Sequence, residues 1–234
     1  MFEALRAQRK IKAIYIHAGR HKDVERLRNE AEIRGIPVKL MNRAFFDSRF
    51  PKGNQGVAVE VSERGYVGFD ELMDVPIEKN EKAFFLILDG IEDPRNLGAI
   101  LRSSEASGVH GVIIEKHRSA SLSPETVKAS AGASEYVAVS MVSNIKNAIE
   151  EMKKQGIFVL GAEGGSNLTP YDIDLTVPLC LVIGSEARGL RMTVKARCDK
   201  IVSLPMRGKI DSLNVSVAGG ILLYEILRQR LRKT

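Results

Sequence analysis

The sequence is short of the residues that metal centres and disulfide frameworks require. Its 234 residues include two cysteines, Cys180 and Cys198, which form no metal-ligand pattern. They read as two buried thiols in a reducing, cytoplasmic compartment. His17, His21, His110 and His117 are scattered and read as surface or structural residues. No run of about 18 apolar residues occurs, so no membrane-spanning helix is expected. No secretory signal is legible at the start, where "MFEALRAQRKIK" is charged and helix-like. The GxGxxG of dinucleotide folds and the GxxxxGK[ST] of nucleotide-triphosphate loops are both missing. No paired acid and base and no Ser-His-Asp arrangement can be read.

What is there is an ordinary globular composition, 44% hydrophobic and 27% charged. The net charge of +6 is unevenly spread. Residues 1–53 hold 13 basic against 6 acidic side chains, residues 54–82 hold 3 against 7, and residues 83–234 hold 19 against 16. A basic N-terminal region suits a phosphate backbone, although a solvated charged helix face has the same composition.

Periodicity and breakers divide the chain in two. The first part carries a helix near 2–10, a strand at 12–19, a helix over 23–35 stopped by Gly35, and strands at 36–41 and 55–63. "DVPIEKNEK", 74–82, has no periodicity and reads as a linker with a boundary near Asn80. Domains are therefore expected at 1–75 and 83–234, joined by 76–82. The second part alternates apolar strands (83–89, 110–115, 136–141, 156–161, 179–184, 200–204) with helices (96–108, 123–130, 143–155, 190–197, 213–232). That alternation predicts an α/β fold with a mainly parallel sheet covered on both faces. The last helix is apolar with small residues in "VAGG", which suits an oligomer contact or ordinary core packing.

Three loops hold the candidate chemistry. In "DGIEDPRNLGAILRSSEASG", Pro94 fixes the entry to a helix and Asn96 is a candidate N-cap. Leu97, Ile100, Leu101 and Ser104 form its buried stripe, and Arg102 stands off it. Arg102 could pair with Glu105 one turn on, or lie beside a bound phosphate or ribose. In "LCLVIGSEARGL", a buried strand ends at Gly184, and Glu186 could accept from a ligand or cap the next helix. In "IVSLPMRGKIDSLNVSVAGG", Ser212 and Asn214 stand at the mouth of the last helix, with Ser212 a candidate N-cap.

Taken together and in this order, the loops resemble the SpoU family of RNA ribose 2'-O-methyltransferases. The matching positions are Asn96, Gly98 and Arg102; Gly184, Glu186 and Gly189; and Pro205, Ser212 and Asn214. The resemblance implies a deep trefoil knot at the C-terminal end of the sheet, a feature that ordinary chain-threading rules exclude. It implies S-adenosylmethionine in the knot, against Gly184, Leu204 and Leu213 with Gly161 nearby, and no metal. It implies a catalytic set of Arg102, Asn96, Glu186, Ser212 and Asn214, and a homodimer whose sites the partner completes. The N-terminal segment is similar to the small L30e-like RNA-binding domain of the ribosomal-RNA branch, with Asn54 where that branch has His. The expected activity is methyl transfer to a ribose 2'-hydroxyl, most closely that of the group acting on a guanosine of 23S rRNA. A tRNA substrate, a non-catalytic RNA-binding dimer and a nicotinamide oxidoreductase are the competing readings.

A hydroxyl needs deprotonation or strong polarisation to attack a methyl group. Guanidinium groups keep their protons at neutral pH. The resemblance gives the task to Arg102, which would stabilise the developing oxyanion or orient an RNA phosphate that relays the proton.

Overall fold

The computed structural model describes residues 11–19, 24–50, 56–61 and 65–232, and the expected helix at 2–10 lies outside them. The chain forms two compact units, Met1–Arg64 and Gly65–Thr234.

In the first unit, strand β1 (Ile11–His17) is flanked by β2 (Val38–Met41) in parallel and β3 (Val57–Val61) antiparallel. Alternation along β1 sends successive side chains to opposite faces. Ile14 and Ile16 pack with Leu27 and Ala31 of α1 (Glu25–Ile33). Ala13 and Tyr15 face Phe46 of α2 (Arg43–Arg49). The sequence expectations omit α2, a short helix of about two turns. It starts because Asn42 Oδ1 accepts from the backbone N–H of Phe45 at 2.9 Å.

The second unit begins with α3 (Phe69–Glu78), followed by β4 (Phe84–Asp89), α4 (Pro94–Ala106), β5 (Gly111–Glu115), α5 (Pro124–Ala129) and β6 (Ala138–Val142). Then come α6 (Ile145–Lys154), β7 (Phe158–Ala162), β8 (Leu179–Gly184), α7 (Met192–Lys195), β9 (Lys200–Val202) and α8 (Val215–Arg232). The strands form one parallel sheet in the order β6-β5-β4-β8-β7-β9. Every residue of β4 and β8 is buried, as expected for the centre of a sheet covered on both faces. Phe84, Leu86 and Leu88 face one layer, with Ile100 of α4 and Leu223 of α8. Phe85 and Ile87 face the other, with Ile149 of α6 and Val194 of α7.

The expected linker at 76–82 is corrected by this architecture. Residues 69–78 are helical, and Leu72 and Met73 are buried in the core of the second unit. Burying a leucine fully contributes roughly 1.5–3 kcal/mol, so α3 is fixed to the sheet. The units divide at Arg64 and Gly65, not near residue 75. Pro76 and the charged residues around it obscured a helix whose buried face is only one stripe wide.

Sheet order determines where a ligand can sit. From β4 the chain goes outward to β5 and β6, then crosses to β7 on the other side and returns to β8 beside β4. At the resulting switch point Asp89 and Gly184, the last residues of β4 and β8, are register neighbours. Loops at the carboxyl ends of strands flanking such a point form a crevice.

Candidate active site

The first loop leaves β4 at Gly90, where φ is +79°, and enters α4 through Asp93, whose Oδ1 accepts from the Arg95 N–H at 2.9 Å. Asp93 is thus the N-cap and Pro94 the first helical residue. Asn96 is not the cap, which leaves its amide for contacts with the other two loops. Gly98 in the same turn packs against α5, since a Cβ there would lie 2.4 Å from that of Ala129.

The second loop leaves β8 at Gly184 and turns back at Gly189, whose N–H donates to Ser185 O at 2.8 Å with φ of +62°. The turn is tight enough that a Cβ on Gly184 would stand 2.2 Å from the Gly189 carbonyl carbon. It presents Glu186 at its tip.

The third loop runs from β9 to α8. Ser212 does not cap α8. Asn214 does, with Oδ1 accepting from the N–H groups of Ser216 at 3.0 Å and Val217 at 3.3 Å.

These three loops meet at one atom. Glu186 Oε1 accepts from Asn214 Nδ2 at 2.5 Å, from the Val215 N–H at 2.9 Å and from Asn96 Nδ2 at 3.4 Å. Asn214 Nδ2 also donates to Asn96 Oδ1 at 3.0 Å. Glu186 does not cap the next helix, α7, whose start has no side-chain cap. It accepts instead from the first N–H of α8 and from two polar side chains.

Two cavities open on either side of this cluster. One, of about 350 Å³, lies between the first and second loops and is lined by Asp89, Glu92, Asn96, Arg118, Glu186 and Arg188 among others. The other, of about 330 Å³, lies between the second and third and is lined by Gly184, Leu204, Met206, Ser212 and Leu213 among others. Ser185, Glu186, Arg188, Gly189 and Val215 line both, so the Glu186 turn is a shared wall.

Of the candidate residues, Asn96, Glu186 and Asn214 are joined directly, while Gly184, Leu204, Ser212 and Leu213 line the second cavity. Gly161 does not line it. A Cβ on Gly161 would meet Ile201, Leu190 and Cys198 side chains at 2.5–3.0 Å, which makes it a packing position. Arg102 stands apart too. Six helical residues beyond Asn96 it is displaced by about 9 Å along the axis, is exposed, and lines neither cavity. Among the described residues its side chain has no partner, so the pair with Glu105 does not form.

Sequence reading missed the ion cluster beneath the first cavity. Asp89 is 1% exposed and accepts from Arg191 through the backbone N–H at 2.8 Å and Nε at 2.5 Å. Arg191 also reaches Glu115 at 2.9 Å. Burial works against the Arg191 charge, but the Glu115 hydrogen bond and the Asp89 charge outweigh it and hold the proton more firmly than usual. A signal existed for Asp89, an ionisable residue closing an otherwise apolar strand. None existed for Arg191.

Comparison with known proteins identifies the family. The model of the SpoU rRNA methylase family matches residues 83–224, and that for the RNA 2'-O ribose methyltransferase substrate-binding region matches residues 2–67. The chain belongs to the SpoU methylase family. It is 39% identical over 231 residues to a protein of Bacillus subtilis (strain 168) named as a TrmH family tRNA/rRNA methyltransferase, covering 98% of this chain and 93% of that one. It is 37% identical over 227 residues to the 23S rRNA (guanosine-2'-O-)-methyltransferase RlmB of Escherichia coli (strain K12), covering 96% and 93%. Among solved structures, the SpoU methyltransferase AviRb of Streptomyces viridochromogenes in complex with AdoMet superposes with a TM-score of 0.81 at 25% identity, covering 99% of this chain and 87% of that one.

Proposed function

We propose that the protein transfers a methyl group from S-adenosylmethionine to the ribose 2'-hydroxyl of a guanosine in 23S rRNA. The observation that carries this is the Glu186 cluster, which joins all three motif loops at the wall between two adjacent cavities. The name of the Escherichia coli relative supports the nucleotide and the RNA class.

The second cavity fits the methyl donor. Ile183, Leu204, Met206 and Leu222 offer apolar surface for an adenine ring, and Asp211 and Glu163 offer carboxylates for its polar groups. When bound, S-adenosylmethionine supplies an electrophilic methyl on a sulfonium. The chain's own residues then have distinct tasks. Glu186, by fixing Asn96 and Asn214, holds the donor and acceptor sides of the site in one geometry, and such orientation can supply several kcal/mol of a barrier. Ser212 and Asn214 shape the wall on which the ribose rests. Arg102 stabilises negative charge developing on the 2'-oxygen.

Arg102 stands away from the cluster of its own chain, which favours a homodimer whose partner completes each site. Val217, Ile221 and Tyr224 form an exposed apolar stripe on α8, the helix packed beside α4, and this stripe is the natural contact. The reading includes a trefoil knot in the 163–214 region. It is supported by the ties between the 166–168 and 201–203 segments, where Ser166 Oγ donates to Ile201 O and Ser203 Oγ to Ser166 O, both at 2.7 Å. The first unit serves as an L30e-like RNA-binding domain, and the protein works in the cytoplasm, where its substrate is.

The test offers S-adenosylmethionine with a labelled methyl to the purified protein with unmodified 23S rRNA or tRNA transcripts. Label on a ribose of 23S rRNA, located to a guanosine by digestion, is the expected result. Label on tRNA alone overturns the substrate class, and label on neither overturns the activity.

A further inference from the structure

The first cavity holds more charge than the Glu186 cluster uses. Asp89 and Arg191 are committed to each other, Asp93 caps α4, and Glu186 anchors Asn96 and Asn214. Three charged lining residues remain, Glu92, Arg118 and Arg188. Among the described residues none of their side chains has a hydrogen bond or an ion pair. All three are exposed.

Arg118 is held in position by its loop. The 116–119 loop follows β5 and is strapped to the first motif loop, with the Ala120 N–H donating to Ile91 O at 2.7 Å. Arg118 itself adopts φ of +58°, a backbone region that residues with a Cβ rarely enter. Arg118 thus lines the cavity from the loop after β5, and β5 and β8, which leads into the Glu186 turn, flank β4 on opposite sides.

The mixture of signs identifies the occupant. A free anion would gain nothing from Glu92, an acceptor-only carboxylate. A nucleotide brings a phosphate and also base N–H donors, and so uses both signs. Guanine presents two adjacent donors, N1–H and N2–H₂, which one carboxylate can accept together. Adenine and cytosine place a donor beside an acceptor. The volume of about 350 Å³ sits at the lower end of the roughly 300–1,000 Å³ range of small-ligand sites, enough for one nucleotide and too small for a helix.

We propose that this cavity receives the target nucleotide turned out of the RNA, with Arg118 on its phosphate and Glu92 accepting from the donor edge of the base. The inference rests on the reading of the neighbouring cavity as the methyl-donor site. Its geometry then brings the ribose of the extruded nucleotide to the shared Glu186 wall. Enzymes that act on nucleotides commonly extrude them in this way and read the exposed edge by hydrogen bonds.

The test measures methyl transfer to a 23S rRNA transcript by the full chain across a series of salt concentrations, with S-adenosylmethionine affinity measured by calorimetry. Arg118→Ala should raise KM for RNA about tenfold and reduce the salt slope by about 0.7, the loss of one single-strand phosphate contact. Cofactor affinity should stay unchanged. Arg118→Gly should give the same kinetic loss with an unaltered or higher unfolding temperature, because glycine accepts the φ. Glu92→Ala removes a negative charge, so electrostatics alone would tighten RNA binding. The proposal requires the opposite, a KM several-fold higher with an unchanged salt slope. An unchanged KM and slope in Arg118→Ala, or tighter RNA binding in Glu92→Ala, overturns the assignment while leaving the methyltransferase reading intact. A wild-type chain that methylates no RNA overturns both.

Discussion

Asp89 and Arg191 are 102 residues apart and hold together the ends of β4 and the turn after β8 through two hydrogen bonds to one buried carboxylate. The pair is structural. Removing the guanidinium leaves the buried Asp89 charge without its side-chain partner. Arg191→Met should therefore destabilise the second unit by about 3 kcal/mol, read as a lowered urea midpoint with an unchanged slope. A loss under 1 kcal/mol would show that water already compensates Asp89.

Gly184 tests the shape of the cofactor cavity. A methyl group there has no space against the Gly189 backbone, so the turn must open. Gly184→Ala should cost about 1–3 kcal/mol of stability through overpacking and weaken S-adenosylmethionine binding more than tenfold by calorimetry. Retained affinity would remove this turn from the donor site.

Arg102 is exposed and unpartnered among the described residues, so Arg102→Ala should leave stability within about 0.5 kcal/mol. Methyl transfer should fall by about 10²–10³, the usual loss on deleting an oxyanion donor. A variant with near-normal rate would end its catalytic assignment.

His110 gives the fold a dependence on acid. Its Nδ1 accepts from the Phe84 N–H at 3.0 Å, so its proton sits on Nε2, which donates to Glu81 at 2.9 Å. Burial lowers its pKa below the ordinary 6.5, only partly opposed by the Glu81 hydrogen bond. The unfolded chain then binds the proton first. Stability should fall as pH drops below about 6.5 and level off below the folded pKa. Urea midpoints between pH 5 and 7.5 should slope less in His110→Gln, and equal slopes would refute the effect.

Neither thiol should react in the native state. Burial pushes Cys198 up to about 12 and Cys180 well above its usual range. Iodoacetamide at pH 8 should label both only after denaturation, as counted by mass spectrometry.

The sheet was readable because its strands are short apolar runs separated by amphipathic helices, and the Leu97, Ile100, Leu101 and Ser104 stripe is buried as its spacing requires. The three motif loops were readable as motifs. Their internal chemistry was not. Pro94 can start a helix from Asp93 as readily as Asn96 can cap one, and only tertiary contact with Glu186 decides which. Asn214 displaced Ser212 as the cap for the same reason. Arg191 carried no pattern because its partners come from distant strands. Helix α3 was missed because a proline and a ring of charges hide a stripe of only Leu72, Met73 and Pro76.

The Glu186 turn lines both cavities, so their occupants cannot be independent if either one moves it. If one occupant, by moving that turn, changes the affinity for the other by some factor, the second must change the affinity for the first by the same factor. A product still seated on one side of the wall would therefore change how tightly the next substrate binds on the other.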